Sequence, residues 1–293
     1  MTDRTRQYMV GGHTYRIHFA DMQNDESLIP SSDAFAVASD DQPSLFDLTV
    51  DDTFRPQEKG EEIGSFDCDA ACYCFMQTDN NDYQIVISDT SHNKCCLMQT
   101  DNAFSHGCVS LTGNTETRQF GLNNALMIMY AFAAADKGTL LMHSSVVCNN
   151  HTTFLFLGKS GTGKSTHSQL WIRYVPGTEL MNDDNPIVRV TKEEIRVYGS
   201  PWSGKTDCYR NISAPAGAFV QLQQAKQNNI RRQTAVEMFT SLLSASSVMK
   251  WDKRVYSGVC DTIECLMRQV PGFTLQCLPD KAAALLSHTT IAR

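Results

Sequence analysis

The chain has 293 residues, of which 42% are hydrophobic, 9% aromatic and 19% charged. This composition is that of a globular protein and excludes disordered, collagen-like and low-complexity classes, while the length favours two domains or one large α/β unit. The 25 Lys and Arg residues against 32 Asp and Glu residues give a formal charge of −7, so the surface as a whole does not attract nucleic acid or an anionic membrane.

Neither secretion nor membrane insertion is indicated by the sequence. The charged N-terminal segment is not followed by the apolar core of a signal peptide, and no apolar stretch is long enough for a membrane-spanning helix. The 11 cysteines are an odd number, and their spacing lacks the paired C-x2-C pattern of zinc sites. We therefore expect a cytoplasmic protein with free thiols that binds no nucleic acid and no membrane.

Residues 1–118 show the pattern of a mostly-β accessory domain. Turn-forming clusters separate short runs that are rich in strand-forming residues, several of which alternate between apolar and polar. These runs are 14–19, 34–37, 45–50, 71–76 and 83–87. No combination of residue types in this part of the chain indicates chemistry.

Residues 119–293 show the alternation of helices and strands that is typical of an α/β domain. Apolar residues recur at helical spacing over 120–133, and the apolar runs 140–147 and 153–157 predict two strands. Beyond them, the sequence predicts helices that begin after Thr234, Asp252 and Asp280, and a strand over 273–278.

The segment from Gly158 to Ser165 matches the pattern G-x-x-x-x-G-K-[ST] of a phosphate-binding loop. A predicted strand precedes it and a predicted helix follows, so backbone N–H groups can turn toward phosphate oxygens and the helix N-terminus adds positive charge. Lys164 can reach the β- and γ-phosphates, and the Ser165 hydroxyl can bind Mg²⁺. We expect ATP, with Mg²⁺, to bind at Gly158, Lys159, Ser160, Gly161, Thr162, Gly163, Lys164, Ser165 and Thr166.

Two adjacent carboxylates, Asp183 and Asp184, end the next apolar segment. The end of a strand beside the P-loop strand is where a magnesium-binding acid belongs, and a second acid can accept a proton from an attacking hydroxyl. We expect Asp183 and Ser165 to bind the metal and Asp184 to act as the base, although adjacency alone leaves the two roles exchangeable. The segment 182–186 is also typical of a turn, which is compatible with a site.

Residues 140–205 resemble the core of the HPr kinase/phosphorylase family, within the wider phosphoenolpyruvate-carboxykinase-like nucleotide-binding fold. Three features carry the resemblance in order, namely His143 on a predicted strand, the P-loop, and the acid pair. Taken alone, His143 would indicate a packed core residue. The resemblance implies instead that His143 lies near the transferred phosphate with Lys164 and Asp184, and it also implies assembly into a homo-oligomer.

The stretch from Tyr198 to Lys205 departs from the family pattern. The family carries Glu-Ile-Arg-Gly-Leu-Gly in this region, whereas this chain has Glu-Ile-Arg-Val-Tyr-Gly, so neither an HPr partner nor the phosphorylase reaction carries over. The run Pro-Trp-Ser-Gly-Lys that follows favours a loop closing over phosphate. We expect this loop to close over phosphate or substrate, with Lys205 and Arg210 neutralising charge and Lys205 in the catalytic set.

The sequence thus predicts an α/β fold that joins a P-loop kinase core of the HPr kinase type to an N-terminal mostly-β accessory domain. The predicted function is ATP-dependent transfer of the γ-phosphate to a hydroxyl acceptor, either a protein serine or a small molecule. An alternative from another class is a non-catalytic ATP-binding sensor in which the nucleotide orders residues 199–210. A carboxykinase ranks last, because those enzymes are longer and carry further metal and carboxylate ligands.

Overall fold

The computed structural model describes residues 4–40, 42–56, 58–67, 71–204 and 206–292. The fold is mixed α/β and contains two large mixed sheets. The chain divides into two compact units, residues 1–133 and residues 134–293. Across the described ranges, no helix combines the length and the apolar character needed to cross a membrane.

The first unit is built on a nine-stranded sheet in the order β3-β1-β2-β4-β9-β8-β7-β6-β5. Its neighbouring strands pair antiparallel, except that β4 runs parallel to both β2 and β9. Burial alternates along strands such as β6, as the period of a half-buried strand requires. The strands are β1 (Thr5–Val10), β2 (His13–Phe19), β3 (Ala36–Val37), β4 (Asp47–Val50), β5 (Glu61–Asp67), β6 (Ala71–Gln77), β7 (Tyr83–Asp89), β8 (Lys94–Thr100) and β9 (His106–Leu111).

Helix α1 (Thr115–Ala133) belongs to the first unit, because its apolar face covers β7, β8 and β9. A Cβ at Gly121 would lie 2.9 Å from the Cys95 carbonyl oxygen, so the missing side chain lets the helix approach the sheet closely. The observed division after Ala133 therefore differs from the expected division at 118/119. Residues 34–37, expected as a strand, form the end of a 3-10 turn (Pro30–Phe35) and the two-residue β3.

The second unit contains the other large sheet, in the order β10-β14-β15-β16-β12-β11-β13, with β18 pairing both β16 and β17. Strand β16 is long enough to pair with β15 through its first residues and with β18 through its last ones. The strands are β10 (Thr139–Leu141), β11 (Ser144–Asn149), β12 (Thr152–Leu157), β13 (Thr178–Asp184), β14 (Ile187–Val190), β15 (Ile195–Tyr198), β16 (Ser213–Gln224), β17 (Asn229–Arg232) and β18 (Gly272–Cys277).

The helices of the second unit are α2 (Lys164–Tyr174), α3 (Ala235–Ala245), α4 (Lys253–Gln269) and α5 (Lys281–Ile291). Helix α2 packs on β11, β12 and β13 and against α5. Its fully buried Trp171 packs on Phe154 and Phe156, and its indole Nε1 donates to Ser287 Oγ at 2.9 Å. This packing holds the first turn of α2, and with it the P-loop, against the sheet.

Strand direction places three chain segments at one edge of this sheet. Strand β11 is antiparallel to both of its neighbours, β12 and β13, so these two strands are parallel to each other. The register pairs Ser144 with Leu157 on one side and with Asp184 on the other. The start of β11, the P-loop after β12 and the acids at the end of β13 therefore meet at this edge.

Candidate functional site

The P-loop connects β12 to α2 through glycines in the left-handed region. Gly161 has φ 75° and Gly163 has φ 105°, and an added Cβ at either would meet nothing within 4 Å. Gly163 is the N-cap of α2, and no side chain caps that helix end. The first N–H groups of α2 therefore face a space large enough for an anion, which fits a phosphate group.

Lys164 links this loop to the start of β11. Its Nζ donates to the Gly158 carbonyl oxygen at 3.0 Å and lies 2.8 Å from His143 Nε2. Lys164 is only 8% exposed, so its ammonium group is held within the site rather than in bulk solvent. A buried cation beside open anion space is the arrangement that binds the β- and γ-phosphates of a nucleotide.

His143 does not lie on a strand, which corrects the expectation of one strand over 140–147. The backbone breaks between β10 and β11, because the N–H of Met142 donates to the Pro186 carbonyl and that of His143 to the Ala245 carbonyl. These bonds replace the sheet ladder at this point. The His143 side chain is thereby held at the sheet edge, next to the P-loop.

The His143 ring also contacts the second acid. Its Nδ1 lies 2.8 Å from Asp184 Oδ1. Because an ammonium group has no acceptor, Lys164 donates to Nε2, which leaves the ring proton on Nδ1 to be donated to Asp184. Lys164, His143 and Asp184 thus form one continuous chain of hydrogen bonds.

Asp183 faces the opposite side of the sheet from this chain. It pairs with Ser145 across β11 and β13, so the two side chains share one face. Ser145 Oγ lies 2.6 Å from the Oγ of Ser168, which is on α2. This face of the sheet is therefore the one that α2 covers. Ser165 precedes Ser168 by one helical turn, so Asp183 and Ser165 are on the same side of the sheet.

The Asp183 carboxylate is a good fit for a metal ion. Asp183 is only 4% exposed, and no side-chain hydrogen bond or ion pair joins its carboxylate to any described residue. Its carboxylate oxygens are therefore available to a cation. Within the described ranges, no group of three or more His, Cys, Asp and Glu residues suits a metal. A Mg²⁺ ion here would have Asp183 and Ser165 as its protein ligands and would need phosphate oxygens and water for the rest.

Residues 199–204 contact the backbone of Asp183 and Asp184 and do not form an isolated surface turn. Gly204 N donates to the Asp183 carbonyl oxygen at 2.7 Å, and Ser203 forms a β-bridge with Asp184. The fully buried Asn182 donates its amide to Ser200 Oγ at 3.2 Å. The loop therefore sets the backbone position of both carboxylates.

Two basic residues were expected to act with this loop. Lys205 lies outside the described residues. Arg210 forms an ion pair with Glu179 at 2.7 Å and donates to the Leu180 carbonyl, at the opposite end of β13 from the acids. The expected charge-neutralising role of Arg210 is therefore wrong, because its guanidinium is engaged elsewhere.

A cavity of about 430 Å³ adjoins the P-loop. His143 and Gly158 form one part of its wall, and β16, β18 and α3 form the rest. Glu237 is its one described carboxylate, and hydrogen bonds from Arg231 and the Thr234 N–H lower the pKa of that group to about 2. The lining residues are His143, Gly158, Lys159, Gln221, Gln223, Gln233, Val236, Glu237, Thr240, Ser241, Ser244, Ala245 and Thr274.

Sequence patterns do not identify several residues that shape this site. Asn182 and Ser200 carry no motif, and Thr274 lies more than a hundred residues beyond the P-loop. A contact between segments so far apart depends on the pairing of β16 with β18, which no local pattern reveals. Gly204 belongs to the Pro-Trp-Ser-Gly-Lys run, but no local pattern indicates that its N–H donates to the Asp183 carbonyl.

The comparisons with known proteins found similarity only among solved structures, of which 41 chains match. No protein-family model and no curated protein matches the chain. Among solved structures, a similar chain is the HPr(Ser) kinase/phosphatase from Coxiella burnetii, with 13% identity and a TM-score of 0.31, over 51% of this chain and 86% of that chain. A similarity this distant carries no information on activity.

Proposed function

We propose that this protein is an ATP-dependent phosphotransferase, similar to HPr kinases, that moves the γ-phosphate of ATP to the hydroxyl of an acceptor. The observation that carries the proposal is the hydrogen-bonded chain from Lys164 through His143 to Asp184. It brings a cation for phosphate and a base for a hydroxyl to the same edge of the sheet. Phosphoryl transfer needs these two elements together.

The P-loop amides and Lys164 bind the phosphates in this proposal. Residues 158–166 surround them with backbone N–H groups, and Ser165 and Asp183 are the residues that would hold Mg²⁺. The metal, when bound, would supply positive charge against the charge that develops on the transferred group. Lys205 is proposed, from the sequence alone, to add a further positive charge.

The imidazole of His143 is the proposed proton acceptor. When phosphates attract the Lys164 ammonium, Nε2 keeps a lone pair for the proton of the acceptor hydroxyl. Asp184 accepts the Nδ1 proton in a hydrogen bond and stabilises the imidazolium that forms, as a carboxylate does behind a histidine base. These hydrogen bonds favour His143 over Asp184 as the base, whereas the adjacent acid pair in the sequence favours Asp184.

Transfer of labelled γ-phosphate to small hydroxyl compounds and to a protein serine tests the proposal. We expect Lys164→Ala and Asp184→Asn to lower the transfer rate by about a hundredfold or more, because each removes a charge from the reacting region. The exposed Lys192→Ala and Asp261→Asn are matched controls with unchanged rates. Full transfer in either test variant contradicts the proposal.

The sensor alternative makes a different prediction in the same assay. Wild-type protein that binds ATP in a calorimetric titration, but yields neither ADP nor a labelled product, would support a non-catalytic sensor. Loss of ATP binding in Lys164→Ala is expected under both functions, so turnover by the wild type decides between them.

A further inference from the structure

The cavity beside the P-loop lies at the end where the terminal phosphate binds. Its wall contains His143, Gly158 and Lys159, which Lys164 Nζ contacts, but neither Ser165 nor Thr166. A P-loop lysine reaches the β- and γ-phosphates. A molecule in the cavity therefore approaches the γ-phosphate from the side of His143.

The side chains around the cavity are mostly neutral hydrogen-bonding groups. Three glutamines and four hydroxyl residues line it, namely Gln221, Gln223, Gln233, Thr240, Ser241, Ser244 and Thr274. The Glu237 carboxylate already accepts two hydrogen bonds from Arg231, so its charge is compensated. The exposed Lys159 is the one lysine among the described residues of the wall, which include no arginine. Amides and hydroxyls recognise the hydroxyl and amino groups of a neutral or zwitterionic compound, and one lysine suits a single carboxylate.

Thr274 gives an independent indication of a ligand. The residue is 4% exposed and lines the cavity, yet its hydroxyl makes no hydrogen bond to any residue in the described part of the chain. The hydroxyl is therefore available to hydrogen-bond a molecule inside the cavity. Its strand neighbour Gln221 adds an amide at the same level of the sheet.

We propose that this cavity binds the phosphate acceptor, and that the acceptor is a small neutral or zwitterionic hydroxyl compound rather than a protein serine. The inference rests on the proposed phosphotransferase function. A volume of about 430 Å³ is in the range of small-molecule sites, which enclose most of their ligand. The acceptor hydroxyl would lie beside His143, and Thr274 and Gln221 would bind other polar groups of the same molecule.

The test compares small acceptors with a protein acceptor. Wild-type protein is incubated with Mg²⁺ and ATP labelled at the γ-phosphate, together with L-serine, glycerol, D-ribose or myo-inositol, and separately with dephosphorylated casein. We expect label on at least one small compound and none on casein. Label on casein alone, or on no acceptor while ATP is bound and hydrolysed, overturns the inference.

Thr274→Val examines the role of the cavity directly, because valine keeps the size of threonine and removes the hydroxyl. We expect the KM for the labelled small acceptor to rise about three- to tenfold, as for one lost hydrogen bond, with the Kd for ATP unchanged. Thermal stability should stay equal or increase, since no described residue depends on the hydroxyl. Thr290→Val on α5 is the control.

Two outcomes separate this inference from the function on which it rests. A raised Kd for ATP in Thr274→Val would assign the cavity to the nucleotide and overturn the inference, while leaving a kinase intact. Absence of both ADP and labelled product in the wild type instead overturns the phosphotransferase itself. An unchanged KM for the small acceptor in Thr274→Val also contradicts a role for this cavity.

Discussion

At the scale of single residues, the site depends on a backbone conformation that few side chains adopt. Asp184 has φ 149°, in a region where non-glycine residues are strained. Gly204 permits this, because a Cβ there would lie 3.1 Å from both the Asp183 carbonyl oxygen and Asp184 Cβ. The strained residue is thus held by contacts from another segment, at the point where its carboxylate meets His143.

Gly204→Ala tests whether this close approach positions the acids. We expect the added methyl to displace the Asp183–Asp184 backbone and to lower phosphate transfer about ten- to hundredfold, as small misplacements of reacting groups do. The exposed position of Gly204 predicts little change in the thermal midpoint. Ser203→Ala, which removes a hydroxyl that donates to the Asp183 and Thr206 carbonyls but adds no steric contact, serves as the milder comparison. Unchanged transfer in Gly204→Ala contradicts the positioning role.

His167 shows how burial changes a titratable side chain outside the hydrogen-bonded chain of the site. It is 2% exposed on α2, where its Nε2 accepts from Trp171 Nε1 at 3.2 Å. Burial lowers the pKa of His167 from 6.5 to about 4. The folded protein therefore keeps this ring neutral at a pH where the unfolded chain already binds a proton.

This difference predicts a loss of stability in acid. The contribution of His167 is fully present above pH 6.5 and is lost as the pH falls toward 4, because the unfolded state then binds more protons. We expect the free energy of unfolding of the wild type to fall by about 3 kcal/mol more than that of His167→Gln over this interval. Denaturant unfolding at several pH values measures both; parallel pH dependences would contradict the prediction.

At the scale of elements, local patterns predicted most helices and strands of the second unit but not their interruptions. The apolar run 140–147 has no turn residue, yet the chain leaves the sheet at Met142 and His143 because carbonyls of Pro186 and Ala245 accept their N–H groups. Those acceptors come from distant segments. By contrast, the capping box at the start of α3 lies within the four residues from Thr234 to Glu237. Because all its groups are local, the sequence alone predicts it.

The capping box allows a direct measurement of this local contribution. Thr234 Oγ1 accepts from the Glu237 N–H, and the Glu237 carboxylate accepts from the Thr234 N–H at 2.9 Å. We expect Thr234→Ala to lower the free energy of unfolding by about 1 kcal/mol. Thr240→Ala, on the exposed face of the same helix, should change it much less. Equal losses in denaturant unfolding would mean that the cap contributes nothing specific.

At the scale of the whole molecule, all residues of the candidate site belong to one of the two units. With a net charge of −7 on the chain, the proposed binding of a polyanionic nucleotide depends on positive groups within this unit. Composition and motif placed the chemistry beyond residue 118, but the exact division required knowing which sheet α1 covers. Among the described residues the cysteines are free thiols, as the odd count suggested.

A fragment of residues 134–293 tests whether this unit is sufficient. Its sheet and helices enclose their own apolar core around Trp171, so we expect cooperative unfolding in denaturant and binding of ATP with an affinity close to that of the full chain. Lys164→Ala within the fragment is the control for specific binding. A fragment that unfolds without cooperativity would show that the first unit contributes to the stability of the second.

The strand order also has a consequence for how the chain reaches its native state. Strands β5 to β9 neighbour each other in sequence and in space, so their pairing closes only short loops. Strand β12, which leads into the P-loop, pairs locally with β11 but also with the distant β16, joining Thr153 to Ala216. Since loop closure costs entropy and local contacts form fastest, the hairpins of β5 to β9 should form early during synthesis on the ribosome. The candidate site should be assembled last, because its cavity also needs β18.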